Sequence, residues 1–201
     1  MDQESNKGFE RKNEVIDSAL KEFSEKGYKG ASLNNILRNA QISKGTFYYH
    51  FKSKEHLYFF LIEILIEKKK EFMQTKIKPE DFNKDIFTIF KLQSKLGVEF
   101  AINNPIINNF SKSFIKEKGN KIYDKALERY NFKEDASIKA LISSAYTKGE
   151  IRDDLPKEFV ERLIGYLFTN LVELSGTTSV EDYEEQINLL IEFIKNGLRK
   201  R

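Results

Sequence analysis

The sequence predicts an all-α protein: an N-terminal three-helix domain built on a helix-turn-helix, joined by a long helix to a larger helical domain. Three observations carry that expectation. Apolar residues recur at i, i+3, i+4 in one segment after another, the spacing of a single face of an α-helix. Only 3 prolines interrupt 201 residues, so few positions oppose helix outright. Between Ser32 and Lys54 the chain reads SLNNILRNAQISKGTFYYHFKSK. Two short segments of helical period there flank a break at Gln41-Ile42-Ser43, which has room for a tight turn and nothing more.

The first helix is expected from about Glu10 to Lys26, with residues 1–8 loose. Val15, Ile16, Ala19, Leu20 and Phe23 form its buried stripe, and Gly27 is its natural stop. Leu33, Ile36, Leu37 and Ala40 pattern the second helix, and Phe47 and Phe51 share a face of the third. Ser32 and Ser43 stand where N-caps belong, because a serine oxygen accepts an otherwise orphaned amide of the first turn. Ser53 caps a fourth helix running to about Lys76, about 36 Å long. Glu55 in its first turn suits the helix dipole. Leu57, Phe60, Leu61, Ile64 and Leu65 form its inner side, and Pro79 closes the segment. The expected domains are 1–53 for the helix-turn-helix and 54–201 for the helical remainder.

A helix from Glu80 to Asn103 carries Phe82, Ile86, Ile89, Phe90, Gln93, Leu96, Gly97 and Phe100. A glycine in mid-helix costs about 1 kcal/mol against alanine, so Gly97 marks either a close helix approach or space for a guest. Asn104 and Pro105 read as N-cap and N1 of the next helix, which breaks around Gly119 and resumes through Ile122 and Tyr130. Another helix is expected from about Asp135 to Lys148. Pro156 starts one that runs to about Ser175, and a last one follows Gly176-Thr177-Thr178-Ser179. These final two helices are apolar on more than one side. One side meets the chain's own core, and the other is most simply covered by a second copy, which predicts a homodimer. Leu163, Phe168, Leu190 and Phe193 are the residues expected at that interface.

Composition narrows the class. With 40% apolar and 32% charged residues the chain reads as globular and water-soluble. It has no cysteine, hence no disulfide and no thiolate metal site. The polar start MDQESNKGFERKN lacks the apolar core of a signal peptide, and no apolar run is long enough to span a bilayer, so a cytoplasmic protein with no membrane partner is expected. His50 and His56 are six apart and share no helical metal-binding face. No H-E-x-x-H, phosphate-binding glycine loop or G-x-S-x-G is present. Neither catalysis, a metal nor a cofactor is expected.

The charge has a location. From Lys26 to Lys54 there are six basic residues (Lys26, Lys29, Arg38, Lys44, Lys52, Lys54) and no Asp or Glu, against a net charge of +3 for the whole chain. The basic excess therefore lies within the helix-turn-helix, where a polyanion is met. The third helix carries an outward set of Lys44, Gly45, Thr46, Tyr48, Tyr49 and His50, groups that suit phosphates and base edges.

At this point the sequence resembles a known family. Gly27-Tyr28, Ser32, Ile36, then Ile42-Ser43-Lys44-Gly45-Thr46-Phe47-Tyr48 and Phe51-Lys52-Ser53-Lys54-Glu55-His56-Leu57 are similar to the N-terminal domain of TetR/AcrR-family transcriptional regulators, over about residues 10–60. Two positions depart from the usual pattern. Gln41 replaces the common turn glycine, at a cost of roughly 1 kcal/mol where φ is positive, and Leu37 replaces a common small residue. The resemblance implies a ligand-responsive repressor that binds a palindromic double-stranded DNA operator as a homodimer. It assigns Ser32, Tyr48, His50 and Lys54 to phosphates, and Lys44, Gly45, Thr46 and Tyr49 to base edges. The competing class is a small-molecule-binding or protein-interaction module with a vestigial helix-turn-helix, against which the acid-free basic stretch argues.

For a small hydrophobic or aromatic ligand, the expected lining is Phe90, Gln93, Gly97, Phe100, Phe110, Phe114, Tyr123, Tyr146, Tyr166 and Asn170. These are aromatic walls with few polar anchors, the common form of a small-molecule site.

Overall fold

The computed structural model describes residues 11–130, 136–176 and 180–200. The expected looseness of residues 1–8 and the helix starts at Glu10 and Asp135 lie outside them. Among the described residues the secondary structure is helical apart from one short 3-10 turn and a single isolated antiparallel bridge, Ile151 with Arg199. The chain forms two compact units, Met1–Lys70 with Asn104–Asn131, and Glu71–Asn103 with Phe132–Arg201.

The first unit begins with α1 (Lys12–Gly30), whose regular helix breaks at Gly27 with φ 67° and ψ 177°. Then come α2 (Leu33–Asn39), α3 (Lys44–His50) and α4 (Lys54–Lys76), the last shared with the second unit beyond Lys70. Val15, Ala19, Leu20, Phe23, Ile36, Leu37, Phe47 and Phe51 are buried, as the apolar periods required. Two further helices, α6 (Pro105–Lys116) and α7 (Lys121–Tyr130), join them. That partition is not contained in a linear boundary at residue 53. Its cause is aromatic packing. Tyr58 of α4 meets Phe23, Tyr28 and Phe110 at ring-centroid distances of 4.8, 4.9 and 5.4 Å. The Tyr58 hydroxyl is buried without a hydrogen-bond partner, and burial, with the nearby Glu117 charge, pushes its pKa upward.

α6 is tied to α1 by buried polar groups as well. Ser113 Oγ donates to Phe23 O at 2.8 Å, and Glu117 Oε1 accepts the Tyr28 N–H at 2.7 Å. α7 is strapped to α4. Lys125 pairs with Glu55 at 2.8 Å and Arg129 with Glu63 at 3.1 Å, while the Tyr130 hydroxyl lies 2.9 Å from both Phe59 O and Glu63 Oε1.

The second unit holds a 3-10 turn (Pro79–Asn83), α5 (Ile86–Asn103), α8 (Ala136–Thr147), α9 (Lys157–Thr169), α10 (Leu171–Ser175) and α11 (Val180–Leu198). Its core gathers Ile86, Phe87, Phe90, Ile142, Ile151, Val160, Ile164, Leu171, Ile187, Ile191, Ile194 and Leu198. The single helix expected from Pro156 to Ser175 is two. The break is at Asn170, whose φ is −106° and ψ 12° and whose side-chain amide donates to Tyr166 O at 2.7 Å. An Asn side chain that competes for a backbone carbonyl offers the chain an alternative to helix.

Several expectations about the interior change here. Phe110, Phe114 and Tyr123 belong to the first unit. Phe110 is fully buried, and Phe114 stacks on the half-buried Tyr123 at 5.0 Å. Phe90, Gln93, Gly97, Phe100, Tyr146, Tyr166 and Asn170 belong to the second. There Phe100 lies 5.5 Å from Phe72, the Tyr146 hydroxyl donates to Leu155 O at 3.0 Å, and Tyr166 is exposed. A Cβ built on Gly97 meets nothing within 4 Å, which removes close helix approach as its reason. Of the interface set, Phe168 packs on Phe90 at 5.2 Å and Leu190 packs against the core. Leu163 is half-buried, and Phe193 is 71% exposed. The large apolar side chains that α9, α10 and α11 leave exposed are Phe159, Tyr166, Val172, Leu174, Leu189 and Phe193.

Candidate nucleic-acid interface

Both short helices of the helix-turn-helix are capped as their serines foretold. Ser32 Oγ accepts the Asn35 N–H at 3.4 Å, and Ser43 Oγ accepts the Thr46 N–H at 3.0 Å. Between them the chain closes α2 with the Ile42 N–H on Leu37 O at 3.1 Å and the Gln41 N–H on Arg38 O at 3.2 Å. This is the pattern that places the residue after the C-cap in the left-handed region. That residue is Gln41, with φ 53°, where glycine is the unstrained choice. Its side chain is held from α1, Arg11 Nη1 donating to Oε1 at 2.9 Å.

α3 turns Phe47 and Phe51 inward, stacked at 5.5 Å, and leaves Lys44, Gly45, Thr46, Tyr48 and Tyr49 exposed. Tyr49 is 84% exposed, an extreme value for an aromatic side chain that has nothing to do in the core. His50 is half-buried with its ring edge-on to Tyr49. A Cβ on Gly45 would come no closer than 3.6 Å to Ser43 Oγ, so nothing within the chain requires glycine there.

Lys54 stands apart from the other expected contacts. Its ammonium donates to Tyr28 O at 2.8 Å and to Ala31 O at 3.0 Å, and sits 4.8 Å from the Tyr28 ring centroid. Burial pushes its pKa down. Two of its three donor hydrogens are therefore used to hold the joint between α1 and α2. That joint is bracketed from three helices: Lys54 of α4 on the carbonyls, Glu22 of α1 on the Ser32 N–H at 2.9 Å, and Glu117 beyond α6 on the Tyr28 N–H.

A family model described as bacterial regulatory proteins of the tetR family matches residues 15–59, which span most of α1, this capped pair and the start of α4. Over these residues the chain carries the N-terminal domain of the TetR family. It is 27% identical over 128 residues to the biofilm operon icaADBC HTH-type negative transcriptional regulator IcaR of Staphylococcus epidermidis, covering 60% of this chain and 69% of that one. It is also 27% identical over 130 residues to the HTH-type transcriptional regulator QacR of Staphylococcus aureus, covering 61% and 69%. In fold it is similar to a TetR family transcriptional regulator from Chloroflexus aurantiacus, with a TM-score of 0.72 and 23% identity over 96% of this chain and 94% of that one. The chain is accordingly a DNA-binding transcriptional regulator.

Three polar residues of this unit escaped the sequence reading: Glu22, Ser113 and Glu117, all buried. Glu22 carried a signal, being a carboxylate inside the stripe that runs through Ala19, Leu20 and Phe23. Ser113 and Glu117 carried none, because their partners lie 90 and 89 residues away. In the second unit Ser94 of α5 is buried as well, its hydroxyl without a hydrogen-bond partner. An opening of about 390 Å³ there is polar, lined by Asp85, Phe87, Gly149, Glu150, Lys195, Arg199 and Lys200, and shares no residue with the expected ligand lining. Among the described residues no helix is long and apolar enough to cross a membrane, and no group of three or more His, Cys, Asp or Glu side chains could hold a metal ion.

Proposed function

We propose that this regulator is a cytoplasmic repressor that binds a palindromic DNA operator as a homodimer and is released by a small hydrophobic molecule. The observation that carries the reading is α3, a short capped helix in an acid-free basic stretch that exposes Lys44, Thr46, Tyr48 and Tyr49 to the outside. Lys44, Gly45, Thr46 and Tyr49 face base edges, and Ser32, Tyr48 and His50 face phosphates. Lys54 acts from behind, by holding the joint that places α2. The exposed apolar side chains of α9, α10 and α11 support pairing with a second copy, whose two recognition helices then meet successive major grooves, about 34–36 Å apart. The name of the S. epidermidis relative, a negative regulator, supports repression over activation. Space beside Gly97 on α5, with Phe90 and Gln93 on the same helix, supports a largely apolar guest in the second unit. The guest must bind the DNA-free state better, with a coupling free energy of about 1–3 kcal/mol.

Lys44→Ala and Lys54→Ala separate the roles. On a duplex selected from a random pool with the parent protein, Lys44→Ala should bind weakly and discriminate less, at an unchanged melting temperature. Lys54→Ala should lower the melting temperature, because it strips two backbone carbonyls of a charged donor, worth about 1.5–3 kcal/mol. Parental DNA binding by Lys44→Ala at matched salt would rule out the base-facing assignment.

A further inference from the structure

Glu22 occupies a place on α1 that an apolar residue could fill. It follows Leu20, precedes Phe23 and is only 6% exposed. Its Oε1 accepts the Ser32 N–H at 2.9 Å, Lys26 Nζ at 2.9 Å and Asn35 Nδ2 at 3.3 Å. A carboxylate in such a place is costly unless it is hydrogen-bonded and paired, and here it is both. Burial raises its pKa, yet the Ser32 N–H, Lys26 and Asn35 outweigh burial and leave it below the ordinary value.

What those bonds hold is the first turn of α2. Ser32 is gripped at both ends, its N–H by Glu22 and its Oγ by the Asn35 N–H that it caps. Asn35 passes the restraint outward, its Oδ1 accepting Arg38 Nη2 at 3.0 Å. α2 has seven residues, far below the length at which a helix is stable without tertiary contacts. Its direction is therefore set by what grips it. Lys54 grips the carbonyls just before it, and Glu22 alone among these charges reaches the Ser32 amide and the Asn35 side chain together.

We propose that Glu22 is a positioning residue for the nucleic-acid surface, anchoring the start of α2 so that Ser32 and the exposed Arg38 guanidinium meet the phosphate backbone in register with α3. The proposal rests on the DNA-binding reading above, and it adds an acidic residue to a surface whose own stretch is free of acids. Removing the Glu22 carboxylate leaves the Ser32 N–H without its acceptor, which lowers stability, so placement is read from binding at a temperature where every variant is fully folded.

The full-length parent, Glu22→Met and Glu22→Gln are compared on a short duplex selected from a random pool with the parent. Melting temperature and hydrogen exchange at the Ser32 amide are measured alongside. Glu22→Met should melt below the parent temperature, exchange Ser32 faster and, where both proteins are fully folded, bind about tenfold more weakly, a change of about 1.4 kcal/mol. Glu22→Gln restores an acceptor and should recover most of that affinity. A folded Glu22→Met with parental affinity overturns the proposal, as does a loss of binding that merely tracks a lower melting temperature, or a Gln variant no better than Met. Should neither variant fold, the parent decides: slow exchange at Ser32, at the edge of a seven-residue helix, supports the anchor, and rapid exchange overturns it. A parent that retains no duplex at all refutes the DNA-binding reading by itself, while the Ser32 exchange rate still reports on the anchor.

Discussion

Consider Gly27→Ala. Gly27 has φ 67° and ψ 177°, a region of backbone space essentially closed to any residue with a Cβ, where occupancy costs about 1–3 kcal/mol. A second cost comes from 90 residues away. The Cβ of alanine would lie 2.7 Å from Glu117 Oε1, so the carboxylate must retreat. That oxygen is the one that accepts the Tyr28 N–H at 2.7 Å, and a hydrogen bond to a charged group contributes about 1.5–3 kcal/mol. The two effects together place the destabilisation at about 3–5 kcal/mol if part of that bond survives a small shift. Urea unfolding followed by circular dichroism reads it as a lower midpoint at constant slope, a changed slope signalling that the two units no longer unfold together. A double-mutant cycle with Glu117→Ala isolates the steric part. The double variant should cost less than the sum of the singles by about 1–2 kcal/mol, the range of coupling between contacting residues. A Gly27→Ala protein within about 0.5 kcal/mol of the parent, the usual effect of an uncommitted surface change, would refute both the backbone and the contact argument. Strict additivity in the cycle would refute the contact alone.

Gly45→Ala should leave stability unchanged or raise it by up to about 1 kcal/mol through helix propensity, since its Cβ meets only Ser43 Oγ at 3.6 Å. The same change should weaken binding to a selected duplex, and equal affinity would show that no base edge approaches that backbone. The parent should sediment at about twice its 23.6 kDa. Phe193→Glu, on the exposed face, should give a soluble monomer, whereas Phe168→Glu, packed on Phe90, should lower the melting temperature. A Phe193→Glu dimer as tight as the parent would move the interface elsewhere. Acid reports on Glu22. Its folded pKa lies below the ordinary 4.5, so it contributes stability that is fully present above that value and is lost as pH falls through the folded pKa. The parent should therefore lose more stability than Glu22→Met on acidification from neutral pH to below 4.5, and parallel pH profiles would show that the carboxylate is not held.

The parts of this protein that could be read from residue order are those whose partners are close in the chain. Ser32 and Ser43 cap amides three residues on, Gly27 breaks its own helix, and Gln41 takes the positive φ that its place after α2 demands. The apolar stripes of α1 to α3 obey a period of one helical turn, and the exposed set on α3 is the complement of Phe47 and Phe51. Each is a local interaction, so local order contains it. The family signature lies in the same stretch, residues 15–59, and was legible for the same reason.

Other features depend on groups that meet only after folding. Lys54 looks like an exposed cation beside its neighbours in sequence, yet the carbonyls of Tyr28 and Ala31 claim it from 26 and 23 residues away. Phe110 and Phe168 have the same apolar signature as any pocket or interface residue. One became core of the first unit when Phe23 and Tyr58 closed on it, and the other was turned inward by Phe90. Phe193, on a helix just as apolar, was left outside. Hydrophobicity drives burial without direction, so periodicity names the residues that must be covered. Which neighbour covers them is set by the packing of the whole chain.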